Sequence, residues 1–142
     1  MDVQEAIRTK RAVRSFADKP LPEETVHAIL NAGRRSQSSK NRQAWQFIAV
    51  RERNTLKLLS KCGTFAGHLK GAALGVLILT PPPEEFYSAL FDAGQVAAYM
   101  QLAAWDLGGK WLPAPPFASA ETAGDVAEIP PEEIEQELYD ED

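Results

Sequence analysis

Cysteine and histidine are scarce in this chain: one Cys and two His in 142 residues. Cys62 alone cannot close an intramolecular disulfide, and Cys62, His27 and His68 are too few for the usual zinc or haem ligand sets, so no metal is expected. No apolar run is long enough to span a bilayer. The N-terminus "MDVQEAIRTKR" is amphipathic and contains acids where a signal peptide would have an apolar core, which predicts a cytoplasmic protein without a membrane partner. Four familiar motifs are also missing: G-x-G-x-x-G after a strand, G-x-x-x-x-G-K-[ST], G-x-S-x-G and H-E-x-x-H. His27 falls in a predicted helix, His68 lies near an apolar strand, and Cys62 has no base close by, so no catalytic residue is assigned.

What remains is the composition of a globular protein, 44% hydrophobic and 25% charged. Its length suits a single domain over residues 1–142 that needs no disulfide or metal to hold its core. The net charge of −5 is unevenly spread. Residues 1–70 carry fourteen Lys/Arg against six Asp/Glu, and residues 71–142 carry one against fourteen. The basic half suits an anionic ligand, while the acidic end repels polyanions; a small, localised anion fits both, and nucleic acid does not.

Val3, Ala6, Ile7 and Lys10 have helical spacing behind a possible Asp2 cap. "KPLPEETVHAILNAGRRS" predicts a helix with Val26, Ile29, Leu30 and Gly33 on one face. "WQFIAVRE" reads as a strand, followed by a short helix with Leu56 and Leu59 that Asn54 could cap. "AALGVLILT", stopped by Pro81-Pro82-Pro83, reads as a strand buried on both faces. A long helix is expected from about 84 to 107, apolar nearly all round and stopped by Gly108-Gly109. Beyond it come "KWLPAPPFAS", with one or two strand residues, a short helix in "AETAGDVAEIPPEE", and an acidic end. Alternating helices with few strands give an α+β fold, an α/β sandwich of two or three layers. Two strands make a poor sheet, so a third is expected near Trp111 or from a second chain.

Two clusters can carry binding chemistry. Lys10, Arg11 and Arg14 in "TKRAVRSF" suit a phosphate ester, because guanidinium forms paired hydrogen bonds and keeps its charge; a solvated basic helix end would read the same. In "QSSKNRQAW", Ser38, Ser39, Asn41 and Gln43 offer donors and acceptors for the edge of a heteroaromatic ring, and Lys40 and Arg42 add charge. The same residue types also make ordinary turns. Asp92 and Gln95 on the long helix are expected to serve packing or a helix-end hydrogen bond rather than catalysis. A phosphate group joined to a ring edge describes a nucleotide-like cofactor.

"KRAVRSF", "PLPEETVHAILNAG", "SSKNRQAWQFIAV" and "FDAGQVAAYMQLAAWDLGG" stand in the order and spacing of the nitroreductase family of flavin enzymes, which residues 3–110 resemble. The resemblance implies an FMN-binding fold with a small sheet flanked by helices, and a homodimer with FMN at the subunit interface. Lys10 and Arg11 match the family's phosphate-binding positions, and Arg14 the basic position near the flavin pyrimidine. Ala12 stands where a phosphate-binding Ser is frequent. Ser38, Ser39, Asn41 and Gln43 match a loop that reaches the flavin of the other subunit, with Gln37 and Ala44 in place of its prolines. After Gly109 the pattern departs: the family's last strand and basic C-terminal arm have no counterpart, so the domain is divergent or incomplete after about residue 110.

The implied activity is FMN-dependent oxidation of NAD(P)H with transfer of the electrons to a small-molecule acceptor such as a nitroaromatic or quinone. The alternative is a non-catalytic, nitroreductase-like flavin-binding or interaction module that has lost a complete active site.

Overall fold

The computed structural model describes residues 1–108 and 137–138. Four helices and three strands follow one another as α1 (Val3–Thr9), α2 (Glu23–Arg34), β1 (Gln46–Val50), α3 (Arg53–Leu59), β2 (Gly75–Leu79), α4 (Ala89–Asp106) and β3 (Glu137–Leu138). Packing divides the described chain into two compact units, residues 1–13, 21–47 and 78–108 in one and 14–20, 48–77 and 137–138 in the other.

In the first unit, α2 lies against α4. Val26, Ile29, Leu30 and Gly33 form the buried face of α2, as their spacing predicts. Val96 and Met100 of α4 are fully buried. At Gly33 the side chains of Met100 and Val96 come so near that a Cβ would clash with Met100. Asp2 caps α1 by accepting from Glu5 N at 2.8 Å. At the other end of that short helix, Trp105 Nε1 donates to Thr9 Oγ1 at 3.0 Å, tying α1 to α4.

α4 begins at Ala89, five residues later than about 84. The chain after the prolines first makes a turn, with Glu85 N and Phe86 N both donating to Pro82 O. Gly108 ends the helix as expected, at φ +77, a conformation that L side chains resist. α4 is not buried all round: Leu90, Phe91 and Tyr99 are exposed, and so are Val3 and Ile7 of α1.

In the second unit Val50, Leu56 and Leu59 form a core with Ile48, Leu58, Leu69 and Leu77 packed around it. The cap of α3 is Glu52, not Asn54: its carboxylate accepts from Asn54 N at 2.8 Å and from Thr55 N. These two bonds, led by that from Asn54, hold the Glu52 carboxyl below the usual glutamate range. Arg53 Nη1 donates to Ala72 O at 2.9 Å and Lys70 O at 3.1 Å.

The sheet order is β2-β1-β3, and β3 runs antiparallel to β1 with Ile48 opposite Leu138 and Ala49 opposite Glu137. The third strand therefore comes from the acidic end that was expected to hold none. Trp111 lies outside the described residues, as do Gly109 and the short helix expected in "AETAGDVAEIPPEE". β2 is less buried than a strand covered on both faces, since Leu79 is exposed. Among the described residues no helix is long and apolar enough to cross a membrane, and no group of His, Cys, Asp or Glu could hold a metal ion.

Candidate functional site

Lys10 follows directly on α1 and is half-buried, while Arg11 is exposed. The Arg11 side chain curls back so that Nη1 donates to Arg8 O at 2.8 Å and Lys10 O at 2.9 Å. Its Nε and Nη2 have no partner among the described residues, which leaves three N–H donors for an anion. Both residues belong to the first unit, while Arg14, exposed, belongs to the second. The Arg14 segment is held to its own unit by the Phe16–His68 ring contact, at 6.4 Å between centroids, and by the exposed Asp18–Arg53 pair at 3.4 Å. The three cations that adjoin in sequence are thus mounted on two different units.

The loop 38–43 lies wholly in the first unit. It makes a single 3-10 turn at Ser39–Asn41. Lys40, Asn41 and Gln43 all have positive φ, at 56°, 52° and 48°. Asn tolerates this region; for Lys and Gln it costs on the order of 1 kcal/mol each, so other contacts must hold the loop. Ser38 Oγ accepts from Gln43 N at 2.9 Å and closes the loop on itself. Asp92, in the first turn of α4, accepts from Ser39 N at 3.1 Å and from Ser39 Oγ at 3.3 Å. The Arg42 guanidinium sits 4.8 Å from the centroid of the buried Phe86 ring, a cation–π contact. Trp45, Phe86, Ala89 and Asp92 close over a gap too narrow for a water molecule.

These bonds decide what each polar group can still do. The Ser39 hydroxyl hydrogen is committed to Asp92, so outwardly Ser39 can only accept. The Ser38 oxygen already accepts once, and its hydrogen is free to donate. The amide groups of Asn41 and Gln43 are exposed and uncommitted among the described residues. A cationic pair with spare N–H donors and a loop presenting a hydroxyl and two amides fit the chemistry of a phosphate ester and a heteroaromatic edge.

Two contacts escaped the sequence reading. Asp92 does make the hydrogen bond at a helix end that its position suggests, but its partner Ser39, 53 residues away, left no local mark. The Arg42–Phe86 contact joins residues 44 positions apart and left no local mark.

The sequence profile described as "Nitroreductase family" matches residues 7–66. A relative from Methanothermobacter thermautotrophicus, provisionally named NADH dehydrogenase/NAD(P)H nitroreductase, is 33% identical over 78 residues, 55% of this chain and 41% of its own length. The chain therefore spans about two fifths of that curated relative. Among solved structures, an FMN-dependent nitroreductase from Clostridium difficile R20291 superimposes with a TM-score of 0.75 at 26% identity, over 91% of this chain and 80% of its own. A nitroreductase with bound FMN from Bacteroides fragilis NCTC 9343 gives 0.66 at 26% identity, over 76% and 66%.

Proposed function

We propose that the chain is a member of the nitroreductase family, on the profile match over residues 7–66 and the likeness of its described fold to an FMN-dependent nitroreductase, and that it binds FMN and oxidises NAD(P)H, passing the electrons to a small acceptor such as a nitroaromatic or quinone. FMN, when bound, supplies the redox chemistry; the protein supplies binding, orientation and charge. In this reading Lys10 and Arg11 bind the phosphate, Arg11 through the N–H groups it does not spend on Arg8 and Lys10. Arg14 provides a fixed positive charge for the side of the ring that gains negative charge on reduction. Ser38, Asn41 and Gln43 hydrogen-bond the ring edge or ribityl chain, and Ser39 accepts. No residue is needed as acid or base for hydride transfer itself.

The observation that carries this reading is the division of labour along α4. Asp92, near one end, holds the loop, and Trp105, near the other, holds the end of α1 from which Lys10 and Arg11 extend. An offset of thirteen residues along the helix separates them by ~20 Å. The two halves of the site are therefore far apart within one chain, which supports a site shared between two copies. Exposed apolar side chains on α1 and α4, among them Val3 (68%), Ile7 (60%) and Phe91 (73%), supply apolar surface for such a contact.

The test is the visible spectrum of the purified full chain with FMN added, followed by NADH or NADPH, and gel filtration of the same sample. Retained flavin that bleaches on adding reductant, at the mass of two chains, is the expected result. Flavin that is retained but never bleaches would favour the non-catalytic module, and no retention at all would sink the cofactor reading.

A further inference from the structure

We infer that Asp92 is a positioning residue for the cofactor loop: its buried carboxylate clamps Ser39 and thereby sets the direction in which Ser38, Asn41 and Gln43 present their side chains. The inference rests on the reading that this loop contacts bound FMN, but the clamp can be tested without it.

A carboxylate in the first turn of a helix is favoured by the helix dipole, and for that role alone it would stay in water. Asp92 is instead 3% exposed. A buried carboxylate is costly without partners, and both Asp92 oxygens take theirs from Ser39, one from the backbone N–H and one from the hydroxyl. Two bonds to one residue fix its orientation as well as its position. Ser39 opens the 3-10 turn, and the three residues with left-handed backbone follow within four positions. The clamp thus sits at the entry to the strained stretch. The exit is held by Gln43 N on Ser38 Oγ, and Arg42 on Phe86 lies between them. Asp92 is the only charged group in this set that is buried, and it joins the loop to α4 across 53 residues of sequence.

Lys40 and Arg42 provide a built-in probe, because trypsin cuts after either only when the loop opens. Flavin-free wild type, Asp92→Ala, Asp92→Asn and Ser39→Ala are digested, with cleavage sites assigned by mass spectrometry and Lys10 and Arg11 as internal references. FMN affinity is titrated in parallel. Asp92→Ala is expected to speed cleavage after Lys40 and Arg42 roughly tenfold and to weaken FMN binding by a similar factor, the loss typical of a charge-assisted hydrogen bond. Cleavage after Lys10 and Arg11 stays as in wild type. Asp92→Asn, which keeps one acceptor oxygen, recovers part of the protection, and Ser39→Ala loses only the hydroxyl share.

Protection at Lys40 and Arg42 unchanged within twofold in all three variants overturns the inference, and so does a wild-type loop cut as fast as Lys10. If Asp92→Ala does not fold, Asp92→Asn and Ser39→Ala decide by the same ratios. If wild type binds no FMN, the cofactor reading fails, while the protease ratios still test the clamp.

Discussion

The loop 38–43 and the basic segment 10–14 are both rich in polar side chains, yet the structure treats them in opposite ways. The loop is built in: a buried carboxylate, a cation–π contact and an internal hydrogen bond hold backbone conformations that Lys and Gln would not adopt unaided. The basic segment is merely attached: the Arg11 bonds go to backbone carbonyls at most three residues away. Ring-edge recognition depends on direction and benefits from a fixed loop. Phosphate recognition depends mainly on charge and tolerates an adjustable side chain. Substitutions in the loop should therefore alter stability and binding together, whereas those in the basic segment should alter binding alone.

The largest effect is expected from the ground the loop stands on. Met100→Ala empties a fully buried site beside Gly33 and Val96 and should cost about 3 kcal/mol in denaturant unfolding. A loss below about 1 kcal/mol would mean that the α2–α4 contact is not what supports the loop. Next, Lys40→Val places a β-branched residue at φ 56 and should cost about 1–2 kcal/mol. An unchanged melting curve would show that the left-handed backbone is not maintained in solution.

A matched pair then addresses the contrast itself. Ser38→Ala removes the acceptor of Gln43 N, with an expected loss of about 1 kcal/mol and weaker FMN binding. Arg11→Ala should leave stability within about 0.5 kcal/mol and weaken FMN binding about tenfold. Equal stability losses from the two would erase the distinction.

The smallest effect lies in the second unit and serves as a control. The Glu52 carboxyl is held low in the folded chain by the N–H groups of Asn54 and Thr55. Its contribution to stability is therefore present above the unfolded glutamate pKa and is lost as pH falls through the lower folded value. Glu52→Gln should flatten this acid limb without changing protection at Lys40 or Arg42. If the loop's protection changes with it, the two regions are not energetically separate.

The sequence made some of this legible and not the rest, for physical reasons. The buried face of α2 and the Gly108 stop follow from helical period and backbone sterics, both local, and both were read correctly. The cap of α3 was misplaced by two residues because Glu52 and Asn54 can both accept N–H bonds, and only geometry chooses between them. The third strand was missed because Glu137 and Leu138 lie among acids, and their partners in β1 stand 88 and 90 positions earlier. The polarity of the loop was plain, but its anchor was not, since Asp92 is 53 residues from Ser39. Local rules identify which groups are available; contacts distant in sequence decide where they are fixed.

α4 also acts as a gauge. A straight helix sets a phase as well as a length, advancing about 1.5 Å and turning about 100° with each residue. Between Asp92 and Trp105 its composition can vary widely provided the faces stay apolar where they are covered. Its residue count cannot: one insertion would swing the loop's anchor about 100° around the axis relative to the mount of Lys10 and Arg11. The spacing between the loop's anchor and the mount of Lys10 and Arg11 is in effect counted off residue by residue along this helix.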